Sequence, residues 1–163
     1  IQFLISHEKR NNFIKNLSID LKGNTLILFS RVESHGKVLF ELINKNVDEG
    51  RKVFFIHGGV DAQDRENVRA ITELEKDAII VASYGTFNIK NLHNVIFASP
   101  SKSRIRNLQS IGRVLRKGKD KTKAKLYDIA DDLTSGSRKN YTLNHFIERV
   151  KIYVQEQFNY DRI

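Results

Sequence analysis

Cysteine, methionine and tryptophan are absent from this 163-residue sequence, and proline occurs once. The absence of cysteine excludes disulfides, thiolate metal sites and cysteine nucleophiles. No apolar run approaches the roughly 18–20 residues that a membrane span requires, and no basic-then-apolar leader is present. These absences favour a cytoplasmic protein without a membrane partner.

Positive charge is the main compositional feature that is present. Lysine and arginine outnumber the acidic residues, which gives a net charge of +9, and 40% of the residues are hydrophobic. The basic residues concentrate in residues 102–106 and 113–125. A globular domain with this charge is suited to polyanions such as nucleic acids. The alternative is a solvated basic surface that keeps the protein soluble.

Apolar runs of strand length alternate with segments of helical periodicity. The predicted strands are residues 25–29, 53–56, 78–82, 94–98 and 124–129. The predicted helices are residues 6–21, 33–47, 63–74, 103–115 and 143–158. This order predicts a doubly wound α/β domain, with a mostly parallel sheet and helices on both faces. Functional side chains should then lie directly after the strands.

Four residues of the segment 109–116 share one face of a predicted helix: Gln109, Gly112, Arg113 and Arg116. Two arginines one turn apart form a pair of charged, planar forks. Gly112 lets a ligand or neighbouring domain approach closely. The segment is either a basic surface with a tolerated glycine or an arginine-finger site for the γ-phosphate of a nucleotide.

The same segment resembles motif VI of superfamily 2 helicases, whose pattern is Gln-x-x-Gly-Arg-x-x-Arg. Other stretches resemble further motifs of that family in the same order. Residues 25–30 with Arg31 resemble motif IV, His57-Gly58 with Arg65 resembles motif IVa, and residues 81–86 resemble the start of motif V. Residues 34–37, 89–93, 128–132 and 157–160 resemble phage recombination helicases in particular. The resemblance covers nearly the whole chain.

The resemblance implies a C-terminal, second RecA-like domain over residues 1–163, with residues 141–163 as a helical tail. It implies that Arg113 and Arg116 contact the β- and γ-phosphates of ATP, and that Gln109 and Gly112 belong to the same site. Mg²⁺ would be held mainly by the first RecA-like domain of the same protein. A phage origin would place the protein in the host cytoplasm.

The resemblance also implies a groove for a nucleic-acid strand. Its expected residues are Ser30, Arg31, His57, Gly58, Ser83, Gly85 and Thr86. Some of these have plainer interpretations: His57 as a polar residue at a strand end, Gly85 and Thr86 as turn residues. His35 is expected to be a capping or surface histidine. Asp131 and Asp132 suggest either a magnesium site or a pair of carboxylates that caps or orients the basic face.

Two features depart from a complete helicase. The chain has no Gly-rich phosphate loop of the type G-x-x-x-x-G-K-[ST], so it should supply only half of a composite ATP site. Motif V is also short, because Phe87 is followed directly by Asn88 where the family has a small-residue loop. Either this loop is deleted, or a segment is missing from the chain as it stands.

The expected function is that of a motor domain in an ATP-dependent helicase or translocase. Its expected substrate is branched or forked DNA, or an RNA–DNA hybrid. Two alternatives stay open: a non-catalytic RecA-like module that binds nucleic acid, and the motor domain of a restriction-type translocase.

Overall fold

Strands and helices alternate along the residues that the computed structural model describes, which are 7–84, 91–99, 125–129, 147, 150 and 151. The strands are β1 (Thr25–Phe29), β2 (Val53–Ile56), β3 (Ile79–Ser83), β4 (Asn94–Phe97) and β5 (Lys125–Asp128). The helices are α1 (Glu8–Asp20), a π-helix (Val32–Gly36), α2 (Lys37–Asn46) and α3 (Ala62–Leu74).

The strands form one sheet in the order β2-β3-β1-β4-β5, and every neighbouring pair is parallel. Every residue of β1 and β4 is buried, as a central parallel strand requires when both faces of its sheet are covered. Strands β1 and β2 begin and end at the predicted residues. The predicted α/β class with a parallel sheet is confirmed.

Each face of the sheet has its own hydrophobic core. On one face Ile14 of α1 and Leu39 and Ile43 of α2 pack against alternate residues of the strands. On the other face Val68 of α3 and the helical residue Val150 pack against the remaining strand side chains. Helices therefore cover both faces, as predicted. Burial of apolar area on this scale supplies most of the driving force for folding.

Two predicted helices lie wholly or mostly outside the described residues. The helix predicted over residues 103–115 lies outside the described residues, and so do Asp131 and Asp132. The helix over 143–158, with the tail 141–163, is described only at Ile147, Val150 and Lys151, which are helical. Among the residues that are described, no helix is long and apolar enough to cross a membrane.

Asn24, just before β1, joins several segments at the amino edge of the sheet. Its side-chain amide donates to three carbonyl oxygens, those of Thr72 (3.1 Å), Glu75 (2.8 Å) and Asn91 (2.9 Å). Its side-chain oxygen accepts from the N–H of Ala78 at 2.9 Å. One buried carboxamide thus holds together the end of α3 and the chain that enters β1, β3 and β4.

The π-helix after β1 was not predicted; the periodicity indicated a regular helix from residue 33. The N–H of Gly36 donates to the carbonyl of Arg31 at 2.9 Å, which is the wider spacing of a π-turn. A side chain at Gly36 would collide with the ring of Phe29. Glycine at this position therefore lets the start of the helix lie directly on the end of β1.

His35, inside the π-helix, was expected to be a capping or surface histidine, and that prediction was wrong. Its side chain is fully buried, and Nδ1 lies 3.1 Å from the hydroxyl of Ser99. Burial, with a contribution from the nearby charge of Arg10, lowers the pKa of His35 to about 4. The imidazole is therefore neutral at physiological pH.

We predict that Asn24→Ala lowers the free energy of unfolding by about 3 kcal/mol, because it leaves several buried backbone groups without a partner. The matched control is Asn46→Ala, since Asn46 is exposed and its amide donates only to the carbonyl of Leu42. It should cost less than about 0.5 kcal/mol. Urea unfolding of both variants measures the difference, and equal midpoints would contradict the role of Asn24.

His35 should make stability depend on pH. The unfolded chain binds a proton near the ordinary value of 6.5 and the folded chain only near 4, so the unfolded state holds more protons between these values. Stability should therefore fall as the pH drops from 6.5 to 4, by up to about 3 kcal/mol. His35→Asn should lose this part of the slope in urea unfolding measured across that range. An identical slope in the variant would refute the assignment.

Candidate nucleic-acid interface

All the described residues that were predicted to bind nucleic acid lie along the carboxyl edge of the sheet. His57 and Gly58 follow β2, Ser83 ends β3, and Ser30 and Arg31 follow β1. Because every strand pair is parallel, these ends meet at one edge, in the order of the strands across the sheet. Phe29 pairs directly with Ser83, which places Ser30 beside the end of β3. The predicted placement after strands is confirmed.

Arg31 and Ser30 differ in what they offer to a ligand. Arg31 is exposed. The hydroxyl of Ser30 is buried and has no hydrogen-bond partner among the described residues, while its backbone N–H donates to the Ser99 hydroxyl at 3.1 Å. In this pair the guanidinium of Arg31 is therefore the group suited to a phosphate oxygen, and Ser30 belongs to the layer beneath it.

His57 is held by its own loop. The N–H of Gly59 donates to Nδ1 of His57 at 3.1 Å, and the imidazole lies 5.1 Å from the ring of Phe55. In the neutral ring an acceptor at Nδ1 leaves the proton on Nε2. Gly58 is exposed and no atom would meet a side chain there. The loop thus combines an oriented N–H donor with backbone that a ligand can approach.

Ser99, two residues after the end of β4, is the centre of a buried polar cluster. Its hydroxyl accepts from the N–H of Ser30 and lies 3.1 Å from Nδ1 of His35. Its carbonyl accepts from the hydroxyl of Tyr84 at 3.1 Å. The N–H of Tyr84 in turn donates to the carbonyl of Phe29 at 3.2 Å. We call Ser30, His35, Tyr84 and Ser99 the Ser99 cluster.

Ser99 and Tyr84 were not among the predicted site residues, and the prediction for His35 was wrong. The signal for Ser99 was the one already used for the other sites, a polar residue that follows a buried strand. Tyr84 lies next to the predicted Gly85 and Thr86, but its aromatic ring gave no reason to expect a buried hydrogen bond.

Six predicted site residues lie outside the described residues: Gly85, Thr86, Gln109, Gly112, Arg113 and Arg116. The junction between Phe87 and Asn88 lies outside them too. Within the described part of the chain no group of three or more histidine, aspartate or glutamate side chains is arranged to hold a metal ion.

Known proteins share both the sequence and the fold. Residues 8–118, more than half of the chain, match the family model of the helicase conserved C-terminal domain. The ATP-dependent DNA helicase UvsW of Enterobacteria phage T4 is 40% identical over 177 aligned positions, which cover 98% of this chain and 34% of that relative. The chain thus spans about a third of the length of the curated relative it matches.

Two solved structures resemble the fold. The crystal structure of T4 UvsW has a TM-score of 0.75 at 41% identity, over 94% of this chain and 34% of that one. Domain 2 of the DEAD-box helicase Mss116p, bound to an RNA duplex, has a TM-score of 0.53 at 15% identity, over 80% and 50%. The second likeness shows the fold alone, and together they confirm the RecA-like architecture.

The predicted resemblance to superfamily 2 helicases, and to a phage recombination helicase among them, is confirmed by these matches. The matched region contains the strand ends described above and extends through the motif VI segment. The chain belongs to the family of helicase conserved C-terminal domains.

Proposed function

We propose that this chain is the second motor domain of an ATP-dependent helicase or translocase that remodels branched or forked DNA or RNA–DNA hybrids. The observation that carries the proposal is the carboxyl edge of the sheet, which gathers Arg31, His57, Gly58 and Ser83 in a domain of the helicase family. The phage relative is named an ATP-dependent DNA helicase, which favours DNA as the substrate.

The strand-binding groove would run along this edge. Arg31 would donate to one phosphate, and the Nε2–H of His57 with the N–H of Gly58 would donate to another. Ser83, Gly85 and Thr86 would line the groove between them. Contacts of this kind are made to the backbone and do not depend on base sequence, which suits a motor that moves along a strand.

Arg113 and Arg116 would supply this chain's part of the composite ATP site. Their guanidinium groups would reach the β- and γ-phosphates of ATP in a cleft against a first RecA-like domain, and Gln109 and Gly112 would line the same site. ATP, with its Mg²⁺ held mainly by that first domain, supplies the phosphoryl group whose transfer to water drives the cycle. The two arginines stabilise the charge that develops on this group. Closing and reopening of the domains would then move the strand.

Arg31→Ala should weaken binding of forked DNA to this chain and reduce the slope of log K against log salt by about 1, since one phosphate contact is lost. Arg31→Lys should restore most of the slope. The matched control is Arg69→Ala, because it removes the same charge from α3, where Arg69 is paired with Glu66 and Glu73. Fluorescence anisotropy at several salt concentrations gives the slope. Equal slopes for Arg31→Ala and Arg69→Ala would remove Arg31 from the groove.

Arg113→Ala in the complete protein, with both motor domains, should lower ATP hydrolysis by about a thousandfold and abolish unwinding, while DNA binding is retained. Arg113→Lys should not restore the rate, because lysine lacks the planar fork. Arg69→Ala is again the control. The measurements are hydrolysis, fork unwinding and DNA affinity. Normal unwinding by Arg113→Ala would refute the arginine-finger assignment, and a wild-type protein that binds DNA but hydrolyses no ATP would point to the non-catalytic module.

A further inference from the structure

The Ser99 cluster lies where three functional segments meet. Ser30 begins the loop that carries Arg31, Tyr84 directly precedes Gly85 and Thr86, and Ser99 directly precedes the segment that leads to motif VI. Hydrogen bonds of 3.1 Å join Ser99 to Ser30, to His35 and to Tyr84. A single residue thus contacts the ends of β1 and β3, two of the strand ends that the proposed function assigns to the nucleic acid.

The cluster is buried, and its imidazole is neutral at physiological pH. His35 is fully buried, and Ser99 and Tyr84 are at most 9% exposed. Because the pKa of His35 is lowered to about 4, the ring carries one proton and offers one acceptor. The Ser99 hydroxyl accepts from the N–H of Ser30 and shares a hydrogen bond with Nδ1 of His35. One hydroxyl therefore joins the Ser30 backbone to the neutral imidazole.

The backbone around the cluster makes this geometry hard to vary. His35 lies within the π-turn, 3.1 Å from the Ser99 hydroxyl, and Gly36 packs against the Phe29 ring. The N–H of Ala98 donates to the carbonyl of Leu28 at 2.9 Å, which continues the β1–β4 pairing up to Ser99. A π-turn inside a helix is often found at a functional site.

We propose that Ser99 and His35 are positioning residues, which hold the Ser30–Arg31 loop against the end of β4 and so couple the strand-binding groove to the segment that carries Arg113 and Arg116. The proposal rests on the proposed function. Neither residue touches nucleic acid or ATP in this assignment. Both act through the Ser30 N–H, whose position sets where Arg31 leaves the sheet.

The first test measures positioning alone and needs no ATP. Hydrogen exchange of the Ser30 amide is followed in Ser99→Ala, His35→Leu and the conservative Ser99→Thr. The matched control is Ser18→Ala, because Ser18 is an equally buried serine whose hydroxyl donates to Ile14 within α1. We expect faster exchange at Ser30 in the first two variants only. Unchanged exchange in both, or equal acceleration in Ser18→Ala, would overturn the proposal.

The second test measures coupling in the complete protein. Ser99→Ala and His35→Leu should keep their basal ATP hydrolysis and lose at least about fivefold in the stimulation of hydrolysis by forked DNA. Ser99→Thr should retain most of the stimulation. Ser18→Ala should lower thermal stability without changing the ratio of DNA-stimulated to basal hydrolysis. Loss of basal and stimulated rates in equal proportion would show that the cluster is only structural.

The two tests separate failure of the inference from failure of the proposed function. If the wild-type protein shows no hydrolysis stimulated by DNA, the motor assignment is wrong, and so is the coupling, while the exchange at Ser30 still decides the positioning role. If the wild type is stimulated and the variants match it, the proposed function stands and the inference is wrong.

Discussion

The carboxamide of Asn24, just before β1, ties the chain that enters β1 to the chain that enters β3 and β4. Its oxygen accepts from the chain that enters β3, and its amide donates to the end of α3 and to the chain that enters β4. Neighbouring groups add to this anchor: the backbone carbonyl of Asn24 accepts from the N–H of His93 at 2.9 Å. Arg51 joins α1 to the same edge by donating to the carbonyls of Ile19 and Leu21. Without the Asn24 side chain, backbone groups at the end of α3 and in the chain that enters β3 and β4 would lose their hydrogen-bond partners.

The level at which the parallel strands begin, at the amino edge of the sheet, affects the level at which they end, at the carboxyl edge. The strands are parallel and nearly equal in length, so fixing the level at which they start also fixes the level at which they end. The loops that carry Arg31, His57 and Ser83 therefore emerge side by side. A shift of one residue in a single strand would turn its side chains to the opposite face and move its loop out of line.

The sheet could be predicted from the sequence, because its strands are continuous apolar runs bounded by polar residues. Both β1 and β2 occur at their predicted residues. Helices on both faces were expected because apolar runs of strand length alternate with segments of helical periodicity. The positions of Arg31, His57 and Ser83 at strand ends were predictable for the same reason. Their side-by-side arrangement depended on the strand order, which periodicity alone does not give.

The Ser99 cluster could not be predicted, and the reason is physical. His35 lies in a π-turn, at which the close contact between Gly36 and Phe29 brings the start of the helix onto the end of β1, and its side chain is buried. Helical periodicity in the sequence does not indicate such a turn. The partner of His35 is far away in sequence, so no local pattern marks the pair. A hydrogen bond between residues 64 positions apart is a property of the folded sheet.

The two edges of the sheet differ in how fully their polar groups are satisfied. At the amino edge both ends of the Asn24 carboxamide have partners. At the carboxyl edge the hydroxyl of Ser30 and Nε2 of His35 are buried, and within the described residues neither has a hydrogen-bond partner. An unpaired buried group costs stability, and native proteins keep few of them. An edge that served only to hold the fold together would be expected to resemble the amino edge. The two unpaired groups therefore lie where strand ends, a π-turn and the predicted groove coincide, as expected of buried polar groups that are kept for a function and not for stability.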